Sequence, residues 1–119
     1  MNDRFTAEMK DRLEQMKDEV RETLEMERGD FDTLLTDTQI FDLPEQASNL
    51  SHTTRLANLG LQERERLRRV LSALHKIETG EGYGVCETCG SSISEERLRA
   101  KPEAHECINC RRRHEEEGR

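Results

Sequence analysis

The sequence has no tryptophan, one tyrosine and three phenylalanines, so aromatics make up only 3% of it. Hydrophobic residues reach 32%, against 38% charged. A globular domain of 119 residues ordinarily needs more apolar bulk than that. Two states suit such a composition: a disordered chain, or long helices that bury a narrow seam and are stapled elsewhere. The apolar residues are periodic and the cysteines are paired by spacing, which favours helices and a metal staple. No apolar run approaches the roughly 20 residues needed to span a bilayer. The opening Met-Asn-Asp-Arg-Phe-Thr has no apolar h-region, so no secretory signal is visible. A cytoplasmic chain is expected, in which cysteines stay reduced and paired CxxC units read as metal ligands rather than disulfides.

Basic residues are missing from one stretch altogether: from Gly29 to Ser51 there is no Lys, Arg or His. The whole chain carries a formal charge of -7 with a pI of about 5.2. Broad, nonspecific nucleic-acid binding is driven by phosphate neutralisation, and this balance argues against it while leaving room for a local basic patch.

Residues 3–28 read as an amphipathic helix. Met9, Leu13, Met16 and Val20 follow the spacing of a coiled-coil seam and Leu24 extends it, while the other faces are charged. Gly29 is the first helix-breaking signal. Asp30, Asp32, Asp37, Asp42 and Glu45 then alternate with Leu34, Leu35, Ile40, Phe41 and Leu43, and Pro44 disturbs any helix passing through. The turn of a hairpin around Asp42–Ser48 and a flexible acidic linker fit this composition equally well. A second helix is expected over 49–79, with Ser48 or Ser51 as N-cap and a stripe of Leu67, Val70, Leu71, Leu74 and Ile77. Ala57 and Gly60 on or near its seam allow close approach or mark a bend. Gly80 is placed as the C′ residue that ends it. Two narrow stripes on helices joined by a short turn predict an antiparallel coiled-coil hairpin over 1–79 with an acidic tip near 42–48. Pairing within one chain has the higher effective concentration, so a monomer is expected; a homodimeric coiled coil is the competing reading.

Residues 80–119 carry the strongest motif. Cys86-Glu-Thr-Cys89 and Cys107-Ile-Asn-Cys110 are separated by the seventeen residues Gly90 to Glu106, within the range of structural zinc sites. Two residues between cysteines let a tight turn aim both thiolates at one ion, and Gly90 follows where the chain must turn sharply. Four thiolates close the coordination shell at roughly 2.3 Å and leave no position for water or substrate, so one structural Zn²⁺ is expected and no catalysis. An iron–sulfur cluster or a redox dithiol competes, but no thioredoxin-like βαβ pattern surrounds the pairs. His105 and His114, near the second pair, are read as bystanders. Tyr83, Val85, Ile93, Leu98 and Ile108 are the apolar residues at hand to pack around the metal, whose binding supplies folding free energy. Ser94-Glu-Glu-Arg97 resembles a capping box opening a short helix, and the run from Cys110 reads as a terminal helix. Its Arg111–Arg113 face the negative charge of a four-thiolate zinc centre. The fold class is therefore mainly α: a coiled-coil hairpin plus a small four-cysteine module.

The string Gly82-Tyr-Gly-Val-Cys-Glu-Thr-Cys-Gly-Ser-Ser-Ile, followed by Arg97-Leu-Arg-Ala-Lys-Pro102 and Cys107-Ile-Asn-Cys110, resembles the DksA/TraR family of bacterial transcription factors. The Arg-Leu-x-Ala-Lys/Arg-Pro stretch makes the match specific, since a generic zinc ribbon does not need it. The resemblance extends from Asp42 to His114 and, in general pattern only, to the first helix. It implies a non-enzymatic regulator that binds RNA polymerase, inserts a coiled coil through the secondary channel and alters initiation, often with the alarmone ppGpp. Neither sequence-specific DNA binding nor a membrane is implied. The family's tip motif Asp-x-x-Asp-x-Ala corresponds to Asp42, Glu45 and Ala47, with Glu45 moving the second charge by one methylene. The basic positions that would hold ppGpp correspond to Arg69, Lys101 and Arg111. Two other readings stand beside this one. A nucleic-acid-binding ribbon would use Arg111–Arg113 with Arg64, Arg66, Arg68 and Arg69. A transcript-cleavage accessory would hold Mg²⁺ between Asp42 and Glu45.

Overall fold

The structure is a computed structural model that describes residues 2–37 and 59–117. Among the described residues five helices follow in this order: α1 (Asp3–Thr23), α2 (Arg28–Asp37), α3 (Leu61–Thr79), α4 (Glu95–Ala100) and α5 (Ile108–Glu117). Among the described residues there is no strand, only an isolated antiparallel bridge between Val85 and Ser92. The expected mainly helical class with a cysteine-bearing module is what the chain adopts. The described helices include none long and apolar enough to cross a membrane.

Two compact units divide the chain: Met1–Glu14 with Arg69–Arg119, and Gln15–Arg68. In the first, Asn2 caps α1 by accepting the Phe5 amide on its side-chain oxygen at 2.7 Å. Phe5, Met9 and Leu13 on α1 are buried, as are Val70, Ala73 and Leu74 on α3. Met9, Leu13, Val70 and Leu74 are inward positions of the expected seams, with Phe5 added one turn before Met9 and Ala73 added on α3. Leu71 and Ile77, assigned to the same stripe, are half-buried.

In the second unit, Phe31, Leu34, Leu59 and Leu67 are buried. The expected continuous helix over 3–28 is not observed. α1 stops at Thr23 because Glu25 adopts a left-handed conformation, φ 56°. The amide of Glu25 then bonds the Glu22 carbonyl at 3.0 Å and that of Met26 bonds the Arg21 carbonyl at 3.2 Å. This is a Schellman closure with glutamate where glycine is usual. Arg21 secures the turn, donating to Asp18 and to the Met26 carbonyl, both at 2.7 Å. Gly29 does not break a helix; it lies in the first turn of α2.

The helix expected over 49–79 is broken at 59–60, and its first part, 49–58, lies outside the described residues. Leu59 and Gly60 are not helical, and α3 starts at Leu61, with the Gly60 carbonyl accepting the Arg64 amide at 3.0 Å. Gly60 is thus a cap rather than a small seam residue. The C-terminus follows expectation: Gly80, φ 74°, closes a second Schellman turn through Gly80 to Ile77 and Glu81 to Lys76. Asp42, Glu45, Ala47 and the proposed N-caps Ser48 and Ser51 lie outside the described residues.

Candidate metal centre

Each cysteine pair is presented by a different local device. Cys86 and Cys89 sit on a tight loop in which Gly90, φ 78°, donates to the Cys86 carbonyl at 3.0 Å, while the Cys86 amide bonds the Ser91 carbonyl at 2.8 Å. A side chain at Gly90 would be strained by that positive φ. Cys107 immediately precedes α5 and Cys110 lies in its first turn, with the Arg111 amide on the Cys107 carbonyl at 3.0 Å. Both sulfurs of this pair therefore sit at the N-terminal end of α5. The two loops are tied together by the Glu87 amide donating to the His105 carbonyl at 2.9 Å.

The four Sγ atoms all lie within 4.8 Å of one another, and those of Cys89 and Cys107 are 3.8 Å apart. A tetrahedron with metal–sulfur bonds of roughly 2.3 Å has edges of about 3.8 Å, so the geometry fits one Zn²⁺. The electrostatics fit as well. Burial by itself raises Cys86, but the backbone N–H groups of Cys107, Cys89 and Thr88 overcome it and hold the thiol down to about 6. Cys89 is lowered by the hydroxyl and amide of Ser91. Cys110 is pushed up to about 12, by burial and then by the three neighbouring sulfurs. Four sulfurs this close cannot all ionise without a cation among them. A bound Zn²⁺ would supply that charge and, with its shell closed by sulfur, serve the fold rather than a reaction.

The apolar surroundings differ from expectation in two positions. Ile93 and Leu98 are buried and Tyr83 half-buried, as expected, but Val85 is 42% exposed and Ile108 43%. Val85 alternates with inward-facing Cys86 and so points out. Ile108 opens α5, where the inward face is taken by Cys107 and Cys110, three residues apart. Phe5 and Met9 of α1 fill the space, forming one buried cluster with Cys86, Ile93, Leu98 and Cys110.

His105 and His114 meet a carboxylate rather than the sulfur cluster. Glu106, 4% exposed, accepts from the Thr88 hydroxyl at 2.9 Å, and its two oxygens lie 2.6 Å from His114 Nδ1 and 3.6 Å from His105 Nε2. Ser94 caps α4 by accepting the Arg97 amide at 3.1 Å, but the capping box is only half formed. Arg97 cannot return a carboxylate, and its Nε instead donates to the Glu106 carbonyl at 2.9 Å. Nothing in the spacing of Glu106 or Arg97 announced these roles.

The three basic positions singled out from the sequence occupy distinct places. Arg69 lines a shallow depression together with Ser72, Lys76, Tyr83 and His105. Both cations of that depression reach Glu87, Lys76 at 2.7 Å and Arg69 at 3.6 Å. Lys101 is the exposed C-cap of α4. Arg111 is exposed and paired with Glu115 at 3.0 Å.

Residues 81–116 match the profile of the prokaryotic dksA/traR C4-type zinc finger. The RNA polymerase-binding transcription factor DksA of Caulobacter vibrioides is 34% identical over 118 residues, covering 97% of this chain and 79% of that protein. The protein of the same name from Escherichia coli K12 is 40% identical over 50 residues, 42% of this chain and 32% of the other. Among solved structures, transcription factor DksA2 of Pseudomonas aeruginosa superposes with a TM-score of 0.62 at 25% identity, over 99% of this chain and 88% of its own. An RNA polymerase binding protein and transcriptional regulator, Dks, of Chlamydia trachomatis shares the fold with a TM-score of 0.61 at 24% identity, over 98% and 93%. With the clustered sulfurs, the C4-type match makes this a centre for one structural zinc ion.

Proposed function

Because the chain belongs to the DksA/TraR family of C4-type zinc-finger proteins, we propose that it is a cytoplasmic, non-enzymatic regulator that binds RNA polymerase and modulates initiation. The observation that carries this reading is similarity over 97% of this chain to a polymerase-binding factor, with a metal centre closed by four sulfurs. A closed shell offers no position at which a substrate could meet the ion. The net charge of -7 suits a protein partner better than a phosphate backbone. Of the arginines in the competing nucleic-acid reading, Arg68 is paired with Glu65 at 2.6 Å.

The finer parts of the proposal concern entry and effector. Asp42, Glu45 and Ala47 would act at a tip carried through the secondary channel by a monomer. Arg69, Lys101 and Arg111 would contribute cations to ppGpp, whose phosphates suit guanidinium forks. All three belong to the unit that holds the metal.

The test is retention on immobilised core RNA polymerase, followed by transcription in vitro from a ribosomal-RNA-type promoter with and without ppGpp. Binding together with altered initiation is expected. Asp42→Asn should abolish the effect while leaving binding intact, and Arg69→Ala should weaken only the ppGpp-dependent part. Failure to bind core polymerase would overturn the proposal. Steeply salt-dependent DNA binding in its place would favour the ribbon reading, and transcript cleavage on a stalled complex the Mg²⁺ reading.

A further inference from the structure

The four thiols are not equally covered. Cys86 and Cys110 are 2% and 1% exposed, whereas Cys89 is open to solvent and Cys107 partly so. One sulfur of each pair is thus sealed and the other accessible, and the two accessible ones form the 3.8 Å edge. The sealed pair shares its apolar cluster with Phe5 and Met9, which come from the first two turns of α1.

Those turns are held in place by more than apolar contact. The Arg99 guanidinium on α4 stacks 4.9 Å from the centroid of the Phe5 ring. It also donates to both Glu8 oxygens, at 3.0 and 3.1 Å. From the α1 side, Arg12 donates to the Arg99 carbonyl. Asn2 fixes the first turn as its cap. These polar contacts fasten an apolar surface against two of the metal's four ligands.

We propose that the first two turns of α1 are the inner wall of the metal centre, so that they set how slowly zinc is released and confine its exchange to the Cys89–Cys107 edge. An apolar wall excludes water and competing ligands from Cys86 and Cys110 and keeps those thiolates aimed at the ion. Detaching a sulfur requires an incoming donor, and only the open edge admits one. Phe5, Met9 and Arg99 are positioning residues in this scheme; none touches the ion.

The experiment uses the zinc-loaded protein and an excess of a chromogenic zinc chelator, with release followed by colour. Phe5→Ala should release zinc roughly 10–100-fold faster than wild type, in line with the loss of an outer-shell support. Arg99→Gln should give a smaller acceleration in a chain that keeps its full apolar cluster. Phe31→Ala, which empties a buried position of the other unit, should leave the rate unchanged. A second readout identifies the edge: brief alkylation of the loaded protein with iodoacetamide, followed by mass spectrometry. Cys89 and Cys107 should be modified first in wild type, and that order should be lost in Phe5→Ala. Wild-type release rates in both Phe5→Ala and Arg99→Gln would overturn the proposal. So would equal acceleration by Phe31→Ala, or first modification at Cys86 or Cys110. If Phe5→Ala fails to fold, Arg99→Gln and the alkylation order decide the matter.

Discussion

Lys76 Nζ donates to Oε1 of Glu87 at 2.7 Å, joining α3 to the loop that carries the first cysteine pair. The hydrogen bond from Lys76 holds the Glu87 carboxyl below its ordinary 4.5, with smaller help from His105 and Arg69. A carboxyl lowered on folding adds stability above its unfolded value and loses it as pH falls through the folded one. A double-mutant cycle of Lys76→Met and Glu87→Gln in urea should show a coupling of about 0.5 kcal/mol at pH 7, small because Glu87 is 41% exposed. The coupling should fade once pH drops below 4.5. No coupling at neutral pH would mean the contact does not hold the loop.

Tyr83 is the only tyrosine in a chain without tryptophan, so its spectrum reports on the metal module alone. Burial pushes its phenol up to about 12, and its hydroxyl donates to the Pro102 carbonyl at 3.0 Å. The stability this represents is present below the unfolded value of about 10 and is lost as pH rises through the folded one. Tyrosinate absorbance should therefore appear near pH 12 in the zinc-loaded protein and near about 10 after chelation. Titration near 10 with zinc bound would show that Tyr83 is not packed as described.

Glu25 occupies a left-handed position that disfavours any side chain, and it is exposed. Glu25→Gly should stabilise the protein by about 0.5–1 kcal/mol, read as a higher urea midpoint with unchanged slope. Gly80→Ala, at φ 74°, should destabilise the protein by about 1 kcal/mol, read as a lower urea midpoint. A destabilising Glu25→Gly would mean that the carboxylate, not the turn, matters there.

Replacing Cys110 by serine removes a buried donor from the α5 end of the cluster. Bound zinc measured by elemental analysis should fall well below one per chain, and the circular-dichroism signal of α4 and α5 should weaken with it. Full occupancy in Cys110→Ser would show that three sulfurs suffice.

The pattern of what could be read from the sequence follows the range of the interactions. Cys86, Cys89, Cys107 and Cys110 were legible because ligand spacing is local and the ion leaves few alternatives. Gly80 was legible because glycine marks a left-handed stop, and Leu67, Val70 and Leu74 because a helix repeats its inward face. The stop at Thr23 was not, since Glu25 takes the same backbone shape without any compositional mark. Phe5 was within reach: it stands four residues before Met9 and simply continues that stripe. Glu106, Glu87 and Arg97 were out of reach, because their partners are brought to them only by tertiary packing. Asp42, Glu45 and Ala47 lie outside the described residues and keep the standing their motif gives them.

The buried cluster joins Phe5 and Met9 to Cys110, so its parts are synthesised far apart in time. The ribosome delivers the apolar lining first, and the last sulfur, Cys110, only after the other three. Ion capture then waits on Cys110, and a chain short of zinc leaves the sulfurs beside Phe5 and Met9 without their ion. Such chains are what chaperones and proteases remove, so the abundance of this protein should follow the metal supply without any dedicated sensor.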